Sequence, residues 1–148
     1  METREFDYIV VGAGSAGCAV AARLAQDRRT TVLLLEAGPR DRNMWIHIPI
    51  GYGKTMFNPQ LNWQFESEPE PNLDNRKIYI PRGRTLGGSS SINGLVYIRG
   101  QKEDFERWRA AGNVGWGWDD VLPYFKRSEA NERGADACHG GVGPLAVS

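Results

Sequence analysis

The chain has 148 residues, a length that suits one domain, and its 18 lysines and arginines balance 18 aspartates and glutamates. This balance gives no overall field that would favour nucleic acid or an anionic membrane as a partner. The chain has two cysteines and two histidines and no C-x-x-C motif, so neither a disulfide framework nor a zinc site is indicated.

The first motif along the chain is a glycine-rich turn between a predicted strand and a predicted helix. The apolar run 6–11 is short and β-branched, as in a strand buried on both faces of a parallel sheet. Gly12, Gly14 and Gly17 follow with G-x-G-x-x-G spacing, and an alanine-rich helix is predicted to begin near Ser15. In such a turn the glycines allow the tight bend, the approach of a pyrophosphate and close packing of helix on strand. The helix N-terminus adds partial positive charge, so the motif predicts a site for the adenosine diphosphate half of a dinucleotide.

A second apolar strand is predicted over residues 30–35, and it ends at an acidic residue, Glu36. An acid at this distance from the glycines accepts hydrogen bonds from the adenosine ribose hydroxyls. Its charge would repel a 2′-phosphate, which disfavours NADP as the ligand.

From Ala37 to about Glu103 the chain shows little sustained periodicity. Short strands are predicted over 62–66 and 77–80, and helices over 104–111 and 118–126. Only two parallel strands are visible, whereas a doubly wound sheet needs more. We therefore expect residues 1–148 to be an incomplete domain, the N-terminal part of a larger one.

A second glycine cluster occupies residues 83–93, with the sequence GRTLGGSSSIN. A flexible Gly/Ser linker is one interpretation. The apolar residues around the cluster favour another, in which a loop is held against the core with its amides and hydroxyls facing an anionic or polar ligand. We predict that Ser90 or Ser91 caps a short helix beginning near Asn93.

Together these motifs resemble the glucose-methanol-choline (GMC) oxidoreductase family. The segment GRTLGGSSSINGLVYIRGQKEDFE is similar to that family's first signature, and it follows FDYIVVGAGSAG and EAG at the expected places. The resemblance extends through NWQFESEP and WGWDDVLPYFKRSE, and is strongest to the choline and alcohol dehydrogenase branch. It implies an α/β, Rossmann-like FAD-binding domain of the three-layer ββα type. The chain would be the N-terminal portion of that domain only, with an irregular extended segment and C-terminal helices.

The resemblance also implies which residues bind FAD. The pyrophosphate would lie at the first turn, the ribose at Glu36, the diphosphate and flavin side at the second cluster, and the isoalloxazine ring beside Asn93–Val96. The full set is Gly12, Gly14, Ser15, Ala16, Gly17, Glu36, Ala37, Arg84, Thr85, Gly87, Gly88, Ser89, Asn93, Gly94, Leu95 and Val96. Arg84 either assists by charge or is a solvated surface group, and Trp63 either walls the flavin or belongs to the core.

Some members of the family attach FAD covalently through a histidine at the position of Ile92, so isoleucine here implies noncovalent binding. The family's histidine base and its partner lie beyond Ser148, and no catalytic residue is predicted in this chain. We expect His47 and His139 to have structural roles and not to act as bases. In the complete enzyme the resemblance implies oxidation of a small-molecule alcohol, with hydride transfer to flavin N5.

Two other functions remain open from the sequence: an NAD-binding Rossmann module, or a truncated nucleotide-binding fragment without catalysis. No stretch reaches the length of a membrane span and no signal sequence precedes Phe6, so we expect a cytoplasmic protein without a transmembrane segment. The sequence indicates no oligomeric state.

Overall fold

The chain opens with a strand, a helix and a second strand, as the sequence predicts. The computed structural model describes residues 3–148, in which β1 is Tyr8–Val11, α1 is Ser15–Leu24 and β2 is Val32–Leu35. The two strands pair in parallel, from Tyr8 beside Val32 to Val11 beside Leu35. The predicted β-α-β order is therefore confirmed, with β2 beginning two residues later than expected.

The register of this parallel pair is fixed at its start by Asp7 and Thr31. The Asp7 amide donates to the Thr31 carbonyl at 3.1 Å, and one Asp7 carboxylate oxygen accepts from both the amide and the hydroxyl of Thr31 at 2.7 Å each. These hydrogen bonds, with the Thr31 amide the strongest influence, lower the pKa of Asp7. These hydrogen bonds keep the two strands in register, because a shift of one residue would move the side chains of a strand to its opposite face.

The expectation that the first strand is buried on both faces is wrong for the described residues, and the second strand is partly exposed as well. Ile9, Val11 and Leu35 are 58%, 82% and 45% exposed. The reason is the size of the sheet, since within residues 3–148 β1 pairs with β2 alone and α1 is the helix that packs on them.

The irregular segment that follows contains short elements. It has 3-10 turns at Met44–Ile46, Pro49–Gly51 and Pro71–Leu73, a short helix α2 (Tyr52–Thr55), and the antiparallel strands β3 (Phe65–Glu66) and β4 (Tyr79–Ile80). The two predicted strands of this region are thus confirmed in position but are shorter.

The prediction of a short helix beginning near Asn93 is wrong. A 3-10 turn spans Gly88–Ser91 instead, and Leu95 has a φ of 60°, which is incompatible with a right-handed helix. The serine hydroxyls do not cap a helix, because Ser90 donates to the Gly87 carbonyl at 2.6 Å and Ser91 to the Leu86 carbonyl at 2.8 Å.

The chain divides into two units, Met1–Val96 and Tyr97–Ser148. The second unit contains α3 (Lys102–Ala110), α4 (Trp118–Ser128) and the parallel strands β5 (Glu129–Asn131) and β6 (Leu145–Val147). Both predicted helices are confirmed, whereas β5 and β6 were not expected. That residues 1–148 belong to one larger domain stays a prediction.

An aromatic cluster forms the core between the two helices of this unit. Phe105 is buried, and its ring centroid lies 5.5 to 5.7 Å from those of Trp108, Trp118 and Phe125. The Trp118 amide, at the start of α4, donates to the Glu106 carboxylate of α3 at 3.1 Å. Ring packing and this cap together fix α4 against α3.

A buried carboxylate, Glu129, organises the end of the second unit. It accepts hydrogen bonds from Arg99, from Asn131 at 2.9 Å, from the Gly140 amide at 3.1 Å and from His139 at 2.9 Å. Burial by itself raises the pKa of Glu129, but these hydrogen bonds and the Arg99 charge outweigh it and lower the pKa to about 2. The carboxylate is therefore ionised in the folded chain at neutral pH.

No helix within residues 3–148 combines the length and the apolar character needed to cross a membrane.

The lowered pKa of Glu129 makes stability depend on pH. Its contribution is fully present above the ordinary value of 4.5 and is lost as the pH falls towards 2, because the unfolded chain then binds a proton that the folded chain does not. We expect Glu129→Gln to lower the melting temperature at pH 7 and to flatten the fall in melting temperature between pH 5 and about pH 2.

Thermal unfolding followed by circular dichroism at several pH values checks this expectation. Glu132→Gln is the matched control, since Glu132 is exposed and the change in charge is the same. If the melting temperature falls equally steeply with pH in the Glu129→Gln variant and in the unmodified chain, the hydrogen bonds to Glu129 do not stabilise the fold as described.

Candidate functional site

The two glycine-rich segments meet in space. The Gly87 amide donates to the Ala13 carbonyl at 2.7 Å, which joins the second segment to the first turn. A Cβ atom added to Gly88 would lie 2.8 Å from the Cα of Gly14. Backbone therefore approaches backbone at a distance that only glycine permits, and the second cluster is not a free linker.

The first turn requires glycine at two of its positions for different reasons. Gly12 has a φ of 94°, in the left-handed region, and its amide donates to the Leu35 carbonyl at 2.8 Å. A Cβ atom on Gly17 would lie 1.9 Å from the Gly12 carbonyl oxygen. The turn is thus closed against both β2 and the first turn of α1.

The N-terminus of α1 opens towards the same region. Its N-cap is Gly14, no side chain caps it, and its first turn carries no acidic residue. The first amides of a helix have no partner within the helix, and Ser15 and Ala16 are exposed. A helix of ten residues with uncapped amides offers partial positive charge to an anion.

Glu36 ties the first turn to the chain that follows β2. Its two carboxylate oxygens accept hydrogen bonds from the Ala13 amide at 2.8 Å and the Gly38 amide at 2.9 Å. A Cβ atom on Gly38 would in turn lie 2.0 Å from the Arg84 carbonyl oxygen. Each carboxylate oxygen keeps capacity for a further hydrogen bond, so Glu36 still has room for a hydroxyl donor.

A groove of about 800 Å³ runs along these elements. Of the residues predicted to bind the cofactor, those that line it are Gly12, Gly14, Ser15, Ala16, Gly17, Glu36, Ala37, Gly88 and Ser89. The groove thus joins the predicted phosphate turn, the predicted ribose acid and the second glycine cluster.

Three predicted residues shape the loop without lining the groove. The Thr85 side chain is fully buried and its hydroxyl donates to the Pro39 carbonyl at 2.9 Å, while Gly87 contributes the amide that reaches Ala13. Arg84 places its guanidinium carbon 5.2 Å from the centre of the Trp63 ring. Their direct contact with a cofactor stays a prediction.

The segment from Asn93 to Val96 does not line the groove either. All four of its residues are exposed, and the Asn93 side chain accepts a hydrogen bond from the Leu95 amide at 3.0 Å. Their predicted place beside a flavin ring likewise stays a prediction.

Sequence reasoning missed several residues of the groove wall. Arg82 and Gly83 line it, and the Gly83 amide donates to the Ser89 hydroxyl at 3.1 Å. The available signal was their position, since Gly83 is the first residue of the second cluster and Arg82 directly precedes it. Trp63, which the sequence left open as a wall of the flavin site or a core residue, lines the groove and is 44% exposed, so it is not a core tryptophan.

The two histidines do not line the groove. His47 lies beside the Asp41 carbonyl, and His139 contacts Glu129 in the second unit. Cys18 packs beside the first turn, with its thiol donating to the Ala13 carbonyl at 3.3 Å.

The groove fits a dinucleotide. Most of the residues that line it are glycine, alanine or serine, and the N-terminus of α1 lies at the same groove, where phosphates would bind. Among the described residues, Glu36 is the one acid in its lining, and it stands beside the first turn, where the ribose acid is expected. Its size lies within the range of cofactor pockets.

Comparison with known proteins agrees with this geometry. The family described as "GMC oxidoreductase" matches residues 6–148. The chain belongs to the GMC oxidoreductase family.

Individual relatives support the assignment to the GMC family. The chain is 51% identical over 141 residues to an oxygen-dependent choline dehydrogenase of Sinorhizobium fredii (strain NBRC 101917 / NGR234), covering 95% of this chain and 26% of the relative. The structure of pyridoxine 4-oxidase from Mesorbium loti matches with a TM-score of 0.89 and 37% identity, covering 96% of this chain and 28% of that one. An FAD-dependent oxidoreductase from Chaetomium thermophilum matches with a TM-score of 0.77 and 33% identity, covering 96% and 26%.

The GMC resemblance and the α/β fold class that the sequence predicts are thereby confirmed. The chain spans about a quarter of the length of these three proteins. The family match over residues 6–148 is to the N-terminal part of GMC oxidoreductases.

Because of the close packing at Gly17, we expect its replacement by alanine to lower the stability of the chain, whereas glycine-to-alanine changes in helices usually raise it. Alanine in a helix normally stabilises by up to about 1 kcal/mol relative to glycine. We expect Gly17→Ala to destabilise instead, by about 1–3 kcal/mol, because its Cβ would overlap the Gly12 carbonyl oxygen.

Urea unfolding of the two proteins measures the difference. Gly53→Ala is the control, since Gly53 lies in the short helix α2 and a Cβ there meets nothing within 4 Å. A Gly17→Ala variant that is as stable as the Gly53→Ala variant would contradict the packing described for the turn.

Proposed function

We propose that residues 1–148 are the FAD-binding segment of a flavin-dependent alcohol oxidoreductase, and that they hold FAD noncovalently. The observation that carries the proposal is the junction of the two glycine segments along one groove. A simple nicotinamide site needs the first turn and an acid. The second segment extends the groove beyond what such a site requires.

In this proposal the first turn and the N-terminus of α1 bind the pyrophosphate through backbone amides. Glu36 accepts hydrogen bonds from the adenosine ribose with the lone pairs that the Ala13 and Gly38 amides leave free. Gly88 and Ser89 line the opposite wall, and Thr85 and Gly87 hold that wall in place. Asn93–Val96 would continue past the flavin ring.

Noncovalent binding is supported by the residue that stands at the family's attachment position. Ile92 is buried and its side chain has no nucleophilic atom. No bond to the flavin can therefore form there. The hydrophobic side chain instead anchors the end of the 3-10 turn at Gly88–Ser91 in the core.

The substrate class proposed is a small primary alcohol such as choline. The support is the 51% identity to a choline dehydrogenase, a protein of which this chain covers 26%. When bound, FAD supplies the hydride acceptor for oxidation of the alcohol carbon. The residues of this chain contribute binding and orientation, while neither His47 nor His139 stands at the groove as a base.

A cytoplasmic location belongs to the same proposal. Its support is the sequence, in which no stretch has the length and apolar character of a membrane span.

A binding experiment tests the cofactor assignment. We expect the full chain to bind FAD, to show no comparable affinity for NADH, and to release intact flavin into the supernatant when it is precipitated with acid. Binding of NADH in place of FAD would support the nicotinamide alternative, and flavin that stays with the precipitate would contradict noncovalent attachment.

Gly88→Ala tests the junction itself. Alanine at a left-handed φ costs about 1–2 kcal/mol, and its Cβ would push the second segment away from Gly14. We expect FAD affinity to fall by roughly tenfold or more. Gly53→Ala is expected to leave FAD affinity unchanged, and isothermal titration calorimetry compares the two; equal affinities would rule out a role for the junction.

A further inference from the structure

Asn93 is followed by Gly94, and this is the one asparagine–glycine pair in the sequence. The other seven asparagines all precede a residue that has a side chain. An asparagine side chain can react with the backbone nitrogen of the next residue, and glycine leaves that nitrogen unshielded because it has no Cβ. The pair lies between the 3-10 turn at Gly88–Ser91 and the end of the first unit at Val96, and both of its residues are exposed.

The backbone nitrogen of Gly94 is accessible. Its amide has no hydrogen-bond partner within residues 3–148, and a Cβ atom added to Gly94 would meet nothing within 4 Å. At exposed Asn113, in contrast, the next amide is that of Val114, and it donates to the Gly112 carbonyl at 3.1 Å. A reaction at the Gly94 nitrogen therefore requires neither the opening of a hydrogen bond nor the displacement of a packed side chain.

The Asn93 side chain is held in a position that favours such a reaction. Its Oδ1 atom accepts a hydrogen bond from the Leu95 amide at 3.0 Å, which forms an Asx turn and folds the side chain over the peptide bond to Gly94. A donor at this oxygen stabilises the negative charge that develops there when a nucleophile adds to Cγ. The Asn93 Nδ2 atom makes no hydrogen bond within the described part of the chain, so no contact holds the nitrogen that would leave.

Two other asparagines show the same turn without a following glycine. Asn43 and Asn58 each accept a hydrogen bond from the amide two residues further on, at 3.0 Å and 2.9 Å. The residue after Asn43 is Met44, whose side chain shields its nitrogen, and the residue after Asn58 is Pro59, whose nitrogen carries no hydrogen. The glycine is therefore what distinguishes Asn93 from these two sites.

We propose that Asn93 is a site of spontaneous deamidation, which proceeds through a cyclic imide formed with Gly94. The Gly94 nitrogen loses its proton to water and bonds to the Asn93 Cγ. The bond from Cγ to Nδ2 then breaks, and the amino group takes a proton from water and leaves as ammonia. The inference goes beyond the proposed function and does not depend on it.

Water then opens the ring at one of two carbonyl carbons. Attack at Cγ leaves an aspartate on an unchanged backbone, whereas attack at the backbone carbonyl carbon of residue 93 leaves an isoaspartate, whose main chain runs through Cβ and Cγ. No atom is oxidised or reduced, and water is the one co-reactant. Either product adds a negative charge to a chain whose formal net charge is zero.

The isoaspartate product also removes the Asx turn. Leu95 has a φ of 60°, in the left-handed region that leucine rarely adopts, and the Asn93 side chain is the acceptor for its amide. With the main chain rerouted through Cγ, that acceptor is lost. We therefore expect the backbone after residue 93 to leave its present conformation when isoaspartate forms.

Incubation of the folded full chain at neutral pH, followed by peptide mapping with mass spectrometry and an enzymatic assay for isoaspartate, tests the site. We expect both isomers at Asn93, and rates at the other seven asparagines that are lower by about tenfold or more. A synthetic peptide of residues 91–96 serves as the unstructured reference. The folded chain should react within about threefold of the peptide rate, because exposed backbone needs almost no opening free energy.

Gly94→Ala is the decisive variant, because its Cβ shields the attacking nitrogen but enters open space in the fold. We expect it to slow the reaction at Asn93 by about tenfold or more and to leave the melting temperature unchanged. Asn93→Gln keeps a side-chain amide but has to close a larger ring, so it should also prevent formation of the acidic products. Gly53→Ala is the matched control, and it should leave the rate at Asn93 unchanged.

Three results would each overturn the inference. Aspartate without isoaspartate would show direct hydrolysis instead of a cyclic imide. An unchanged rate in the Gly94→Ala variant would show that the Gly94 nitrogen is not the nucleophile. A folded chain that reacts more than about tenfold more slowly than the peptide would show that the fold protects Asn93. If Gly94→Ala does not fold, the ratio of isomers and the comparison with the peptide still decide.

Discussion

The close approach of two backbone segments at Gly14 and Gly88 is the constraint on which the groove depends. The hydrogen bond from the Gly87 amide to the Ala13 carbonyl holds the segments together, and the space between the two Cα atoms has no room for a Cβ. Loop closure over this sequence separation costs conformational entropy. Buried Thr85 and Ile92 offset part of that cost by anchoring the loop on either side of the contact.

Glu36 stabilises this junction through the backbone amides that donate to its carboxylate. A carboxylate beside backbone amides is stabilised by their dipoles, and here it joins Ala13 of the first turn to Gly38, which packs on the backbone of Arg84. The Glu36 carboxylate therefore has a structural role that does not depend on a bound ribose. Loss of its charge would be felt at both glycine segments, so the effects of substitutions at Glu36 and at the junction are not expected to be additive.

The sequence predicted the parts of the fold in which local pattern and packing agree. The β1-α1-β2 order follows from apolar periodicity and glycine spacing, and the junction of the two clusters follows from the family resemblance. It did not predict the 3-10 turn at Gly88–Ser91, because the same serine hydroxyls that can cap a helix can also donate to the preceding carbonyls. Trp63 was ambiguous, since its position depends on the hydrogen bond that the neighbouring Asn62 accepts from the amide of Arg82, twenty residues away in the chain. No local pattern reports such contacts.

A groove lined mostly by glycine, alanine and serine has a particular consequence for specificity. Backbone amides recognise phosphate in any dinucleotide, so the choice between cofactors falls to the few side chains that reach the space. Of these, Glu36 brings a negative charge to the groove, and Trp63 brings an aromatic ring. We therefore expect a substitution at a glycine of the wall to weaken the binding of every dinucleotide, because all dinucleotides share the pyrophosphate. We expect a substitution at Glu36 to act instead on the choice between cofactors, because it removes the charge that a 2′-phosphate would meet.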